Sequence, residues 1–205
     1  PTWAANSAWE RRRAASARRR IGDIRQRLGQ YDKAAAAYRS AIDMYRLLAG
    51  AAADDQALPV RMAEAYNALG KTQTLANHAS GAQAAYRDAL DCLKTAGSEA
   101  SPEARFELAG TYFLMGKRIR PQPGVRRGRR GDGPPDGPPD GREPDRRPPP
   151  HERPGFEDRG PSGDPDREAR NRLLGKAITL LTELLRERPA NPDCRHLLAL
   201  CHREI

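Results

Sequence analysis

Three groups of residues have types and spacings that invite chemistry. Cys194, His196, Cys201 and His202 lie close together near the end of the chain. On a helix Cys194 and Cys201, seven apart, share a face, whereas His196 and His202 point elsewhere. The spacing is not a Cys-x-x-Cys pattern, so packing is preferred over a metal site. The second group is Arg11, Arg12, Arg13, Arg18, Arg19, Arg20, Arg25 and Arg27, set against only Glu10 and Asp23. A segment this basic suits nucleic acid, an anionic surface or an acidic partner, or is simply a solvated face. The third is Arg126, Arg127, Arg129 and Arg130 between glycines. Such a run can hold RNA phosphates without reading sequence. Its surroundings carry about as many Asp and Glu as Arg, and Phe156 is the one aromatic on which a base could stack. Nucleic acid is therefore the lesser reading. No glycine-rich phosphate loop, His-Arg-Asp loop, Asp-Phe-Gly or Gly-x-Ser-x-Gly elbow occurs. No catalytic residue and no cofactor are expected, and the chain is read as non-enzymatic.

The elements that position these residues are helices. Aromatics make up 5% of the chain and its mean hydropathy is −0.84, which argues against one large core. The net charge is +9, most of it at the front. Three unevenly spaced cysteines give no disulfide framework, so a reducing, cytoplasmic setting is expected. No apolar run approaches the ~20 residues that span a bilayer. The chain begins at Pro1 rather than Met and reads as a piece of something longer.

Ala17, Ile21, Ile24 and Leu28 are spaced 4, 3 and 4 apart, one face of a helix. Gly29 ends it. Tyr31, Ala34, Tyr38, Ala41, Ile42 and Tyr45 form the stripe of a second helix, extended through Leu47 and Leu48. Upstream, Ser7-x-x-Glu10 fits a capping box, and Trp3 and Trp9 are expected to pack against a preceding helix. The pattern then recurs. Leu58, Met62, Ala65 and Leu69 make one stripe; Ala82, Tyr86, Ala89, Leu90 and Leu93 make the next. Gly70, Tyr86 and Ala89 lie 48 residues after Gly22, Tyr38 and Ala41. Three matches at one offset indicate a repeat, although the inner turn around residues 77–81 lacks an aromatic and should be looser. Ser101-Pro102-Glu103 starts a third unit, with Leu108, Tyr112, Met115 and Gly116.

Residues 118–165 break the pattern with proline, glycine, arginine and aspartate. They carry too little apolar surface to offset their chain entropy and are expected to be disordered. Asp164-Pro165 restarts a helix containing Ala177, Leu181 and a closing Pro189. Asn191-Pro192 starts the last helix, with Cys194, Leu198, Cys201 and Ile205 as its stripe. The expected organisation is residues 1–117 with two repeats and the first helix of a third, an insertion over 118–165, and 166–205 with the missing second helix and a cap. Such an insertion is tolerable because loop-closure cost grows only logarithmically with length.

The unit beginning at Ala15 resembles the tetratricopeptide repeat, a helix–turn–helix of about 34 residues. The family's position 8 is then Gly22, its turn glycine Gly29, its position 17 aromatic Tyr31 and its position 20 alanine Ala34. Tyr38 stands at position 24 and Ala41 at position 27. Arg18 and Arg25 stand where the family carries large aromatics. The same roles fall to Gly70, Ala82, Tyr86 and Ala89 in the second unit. Gly116, Ala177, Leu181 and Pro189 take them in the third. The resemblance implies an all-α, right-handed superhelical stack with the insertion inside one turn. Together with the ending from Leu181 onward, the repeats resemble the C-terminal region of large bacterial serine/threonine protein kinases, where a kinase domain precedes them.

In that family the first helix of each repeat lines a concave groove. Carried over by position, the groove would include Arg19, Arg20, Asp23 and Arg27 from the first repeat, Asn67 and Lys71 from the second, and Phe113 and Lys117 from the third. This implies a basic groove with one apolar spot, suited to an extended acidic peptide or a protein carrying one. Asp23 and Ala68 stand where the family's carboxylate clamp has asparagines, so that ligand is not implied. The expected function is a scaffold for protein–protein interaction. The alternatives are the regulatory arm of a kinase and nucleic-acid binding through the arginine-rich insertion. Nothing in the residues sets the oligomeric state.

Overall fold

The computed structural model describes residues 2–51, 55, 57–95, 97, 101–119 and 164–205. Among them all regular structure is helical: α1 Thr2–Arg27, α2 Tyr31–Ala51, α3 Ala57–Leu75, α4 Ala79–Thr95, α5 Pro102–Arg118, α6 Pro165–Glu187 and α7 Pro192–Glu204. The insertion expected over 118–165 falls almost entirely outside the described residues. The chain packs as adjacent helix pairs: α1 on α2, α3 on α4, α5 on α6, with α7 against α6. This all-α arrangement is compatible with a helical repeat fold.

Local chemistry sets several helix ends. Ser101 Oγ accepts from the Ala104 amide at 3.0 Å. Asp164 Oδ1 accepts from Asp166 at 3.1 Å, and Asn191 Oδ1 accepts from Asp193 and Cys194 at 3.0 and 3.2 Å. Each cap precedes a proline whose missing N–H would have been unpaired anyway. The first helix differs from expectation. It is already helical at Thr2, so Ser7 and Glu10 lie inside it rather than at its start.

Gly29 takes φ +72°, and the Gln30 amide donates to Arg25 O at 2.9 Å. In the second turn Asn77 takes φ 61°, and the His78 amide donates to Gln73 O at 2.8 Å. Asn77 lies 48 after Gly29. The turn expected to be looser is thus closed by the same bond. Asparagine tolerates the left-handed conformation, and the missing aromatic does not matter to it.

The packing rests on glycine under tyrosine. A Cβ on Gly22 would lie 2.6 Å from Tyr38 Cε1, and one on Gly70 would lie 2.5 Å from Tyr86 Cε1. Both rings are buried. Ala34, Ala41, Ala82 and Ala89 are buried beside them and let the helices approach. In the third pair a Cβ on Gly116 would meet Leu174 Cγ at 3.1 Å, with Ala177 and Leu181 buried alongside. Pro189 is exposed in the turn after α6, and Tyr31 is half-buried.

Arg105 joins α5 to the far end of α6 through two parallel bonds, Nη1 to Glu187 Oε1 at 2.7 Å and Nη2 to Oε2 at 2.6 Å. Glu187 is partly solvated, which weakens the pair. Glu187→Ala is expected to lower the urea midpoint slightly, with the loss shrinking in high salt.

The stripe expected to be buried on α1 is not. Ile21, Ile24 and Leu28 are 40%, 58% and 66% exposed, and Ala17 is exposed too. The helix has a second, less conspicuous face of small residues, with Ala15 and Gly22 buried, and this one meets α2. Trp9 is also exposed, with the Arg13 guanidinium 4.6 Å above its ring.

Candidate functional site

The odd-numbered helices touch in succession, α1 with α3, α3 with α5 and α5 with α7. Among the described residues no two even-numbered helices bring their backbones equally close. The odd helices therefore form the more closely packed side of the helix pairs, their inner side in that sense alone. This is where the eight groove residues were expected.

Polar side chains fasten that side together. Gln26 Nε2 donates to Thr72 Oγ1 at 2.6 Å, joining α1 to α3. Arg19 sits 3.6 Å from Asp23 and 3.9 Å from Glu64, which Arg61 also meets at 3.2 Å. Tyr38 Oη donates to Asp23 Oδ1 at 2.8 Å. Burial, and then Asp23, push the Tyr38 phenol well above its usual range. Between α3 and α5, Asn67 Nδ2 donates to Thr111 Oγ1 at 2.9 Å and to Glu107 Oε2 at 3.3 Å. Burial and the nearby Glu64 carboxylate push the Glu107 carboxyl up to about 7.

The expected site residues therefore divide. Arg19, Asp23 and Asn67 already have partners inside the protein. Phe113 is 6% exposed and shares a core cluster with Cys194 and Cys201 of α7. It is not an apolar spot in a groove, because α7 packs on this part of α5. Arg20, Arg27, Lys71 and Lys117 are exposed, and among the described residues none of them makes an ion pair. Lys71 and Lys117 hold one register position on successive odd helices, 46 residues apart. Leu75, the register equivalent of Arg27, is 51% exposed.

The inner side is less uniformly basic than its sequence positions imply. A cleft of about 190 Å³ lies between α5 and the α6–α7 turn, lined by Glu64, Phe106, Glu107, Leu184, Arg188 and Asp193 among others. Glu107 escapes a reading by family position. Its signal is the spacing Glu103, Glu107, Thr111, one face of α5.

Cys194 and Cys201 are both buried, as a shared face requires, while His196 and His202 are exposed. Burial pushes the Cys201 thiol up to about 11. Among the described residues no group of three or more His, Cys, Asp and Glu is placed to hold a metal ion. No described helix is long and apolar enough to cross a membrane. The arginine-rich run at 126–130 lies outside the described residues. No family model matches the chain, and neither a curated protein nor a solved structure matches it.

Proposed function

We propose that this chain is a non-enzymatic helical-repeat scaffold of tetratricopeptide type, which captures an extended acidic segment of a partner protein along its inner side. The observation that carries the proposal is the set of exposed cations Arg20, Arg27, Lys71 and Lys117 on successive odd helices, free of ion pairs among the described residues. Cations already paired with carboxylates add little to a new contact, and Arg19 belongs to that group. An extended ligand suits a line of cations borne on successive helices. The glutamates beside Arg188 would repel an acidic segment that ran further toward α7, which sets its register.

The test is fluorescence anisotropy with a labelled peptide of alternating glutamate and proline, which cannot become helical. Lys71→Glu with Lys117→Glu should weaken binding by about tenfold, equivalent to about 1.4 kcal/mol, and flatten its salt dependence. Unchanged affinity in that double variant would remove the inner side from the mechanism.

A further inference from the structure

The inner side changes sign along its helices. On α5 Phe106 and Lys117 are eleven residues apart, three turns, and so share a face about 16 Å from end to end. On α3 Glu64 and Lys71, seven apart, also share a face, again with the lysine nearer the helix end. The exposed lysines thus lie toward the ends of α3 and α5. The cleft beside the α6–α7 turn lies toward their starts.

That cleft suits a cation on an apolar stem. Phe106 and Leu184 line it beside the carboxylates. Glu64 is met by Arg61 and Arg19, and Glu103 by Arg188 at 3.5 Å. Glu107 and Asp193 make no ion pair among the described residues. The hydrogen bond to the Glu107 carboxyl comes from a neutral amide, that of Asn67. The helix starts that border the cleft do not offer an anion site. Ser101 already takes the Ala104 amide, and Asn191 takes those of Asp193 and Cys194. At about 190 Å³ the cleft is smaller than the ~300–1,000 Å³ of sites for whole small molecules, and it suits one long side chain.

We infer that the acidic segment captured by the inner side also carries an arginine, about five residues from its nearest glutamate, whose side chain enters this cleft beside Glu107 and Asp193. The inference rests on the inner-side reading and adds to it a second anchor of opposite sign. The spacing follows from α5: about 16 Å is about five residues of polyproline-type chain at ~3.1 Å each. The guanidinium supplies the cation that Glu107 and Asp193 lack, and its stem lies along Phe106 and Leu184. Opposite anchors at a set distance select one stretch of the partner and one register, which a row of like charges does not.

The test is anisotropy of the full chain with labelled peptides that share one glutamate–proline block. The first continues with four prolines and an arginine, the second with four prolines and a glutamine. The third is an isomer of the first, with the arginine directly after the last glutamate. Each is made with the extension on either side of the block. Arginine lowers the negative charge of a peptide, so on a purely basic surface it weakens binding. Here the first peptide, in one chain direction, should bind about tenfold more tightly than the second, the effect of one charge-assisted contact. The isomer should bind no better than the glutamine peptide. Glu107→Gln with Asp193→Asn should erase the advantage of the first peptide over its isomer. Lys71→Glu with Lys117→Glu should weaken all three. The inference is overturned if the glutamine peptide binds and arginine at the four-proline spacing gives no gain in either direction. It is equally overturned if the gain survives in Glu107→Gln with Asp193→Asn. Binding of none of the three would overturn the inner-side reading itself, and this inference with it.

Discussion

Tyr38→Ala is expected to lower the unfolding free energy by about 3–5 kcal/mol, the range for deleting a large buried ring. The ring is fully buried, in a cluster that joins α2 to α3 and α4. Its hydroxyl is also the donor to Asp23. The sharper form of the expectation is a double-mutant cycle with Gly22. In the wild-type background Gly22→Ala forces a methyl to within 2.6 Å of the ring. The hydroxyl's bond to Asp23 keeps the ring from swinging aside, so overpacking should cost about 1–3 kcal/mol. In the Tyr38→Ala background the obstruction is gone. There the same change gains the helix propensity of alanine over glycine, about 1 kcal/mol. Gly22→Ala thus reverses sign with the identity of residue 38. Urea unfolding of the four proteins measures this, and additive effects would show that the glycine is not there for the ring. Tyr86 and Gly70, where the approach is 2.5 Å, should repeat the result.

Stability should fall as pH rises from about 4.5 to about 7, and Glu107 should be a main cause. In the folded chain its carboxyl holds a proton up to about 7, against 4.5 when unperturbed. Between those values the native state binds more protons than the unfolded one, so raising the pH favours unfolding. Below the window both states are protonated and nothing is lost; above it the cost of a buried carboxylate is complete, up to about 3 kcal/mol. The charges facing this group are Glu64 and Arg61 from α3 and Arg19 from α1, with Glu103 on its own helix and Asp193 and Arg188 at the α7 side of the cleft. Glu107→Gln keeps an acceptor for Asn67 but cannot ionise. It should be more stable than wild type at pH 8, equal to it near pH 4.5, and should lose most of the slope between. Parallel slopes in the two proteins would place the titration elsewhere.

The second helices were legible because their neighbours are local. The spacing of Ala34, Tyr38, Ala41 and Tyr45 identifies the residues that α2 buries. The partnership of α5 with α6 was also legible across the residues that separate them. Asp164-Pro165 marks a helix start, and Ala177 and Leu181 fall in the register that Gly116 leaves open. The first helix was misread for a physical reason. Periodicity finds the most apolar face, yet α2 meets the face of small residues, where close approach outweighs apolar area. The inner side was legible in its cations and not in its partners. Whether Asn67 meets solvent or Thr111 depends on how α3 and α5 converge. Whether Phe113 faces a ligand or the core depends on α7, far along the chain. Neither is written in the residues adjacent to them.

The most direct measurement is a salt titration of the full chain, by anisotropy, against two labelled ligands of equal charge. One is the glutamate–proline peptide and the other a single-stranded RNA. An inner-side scaffold binds the peptide, loses it as salt rises, and discriminates against the RNA. Binding of the RNA with the peptide ignored would contradict it, and would move the function to the arginines at 126–130.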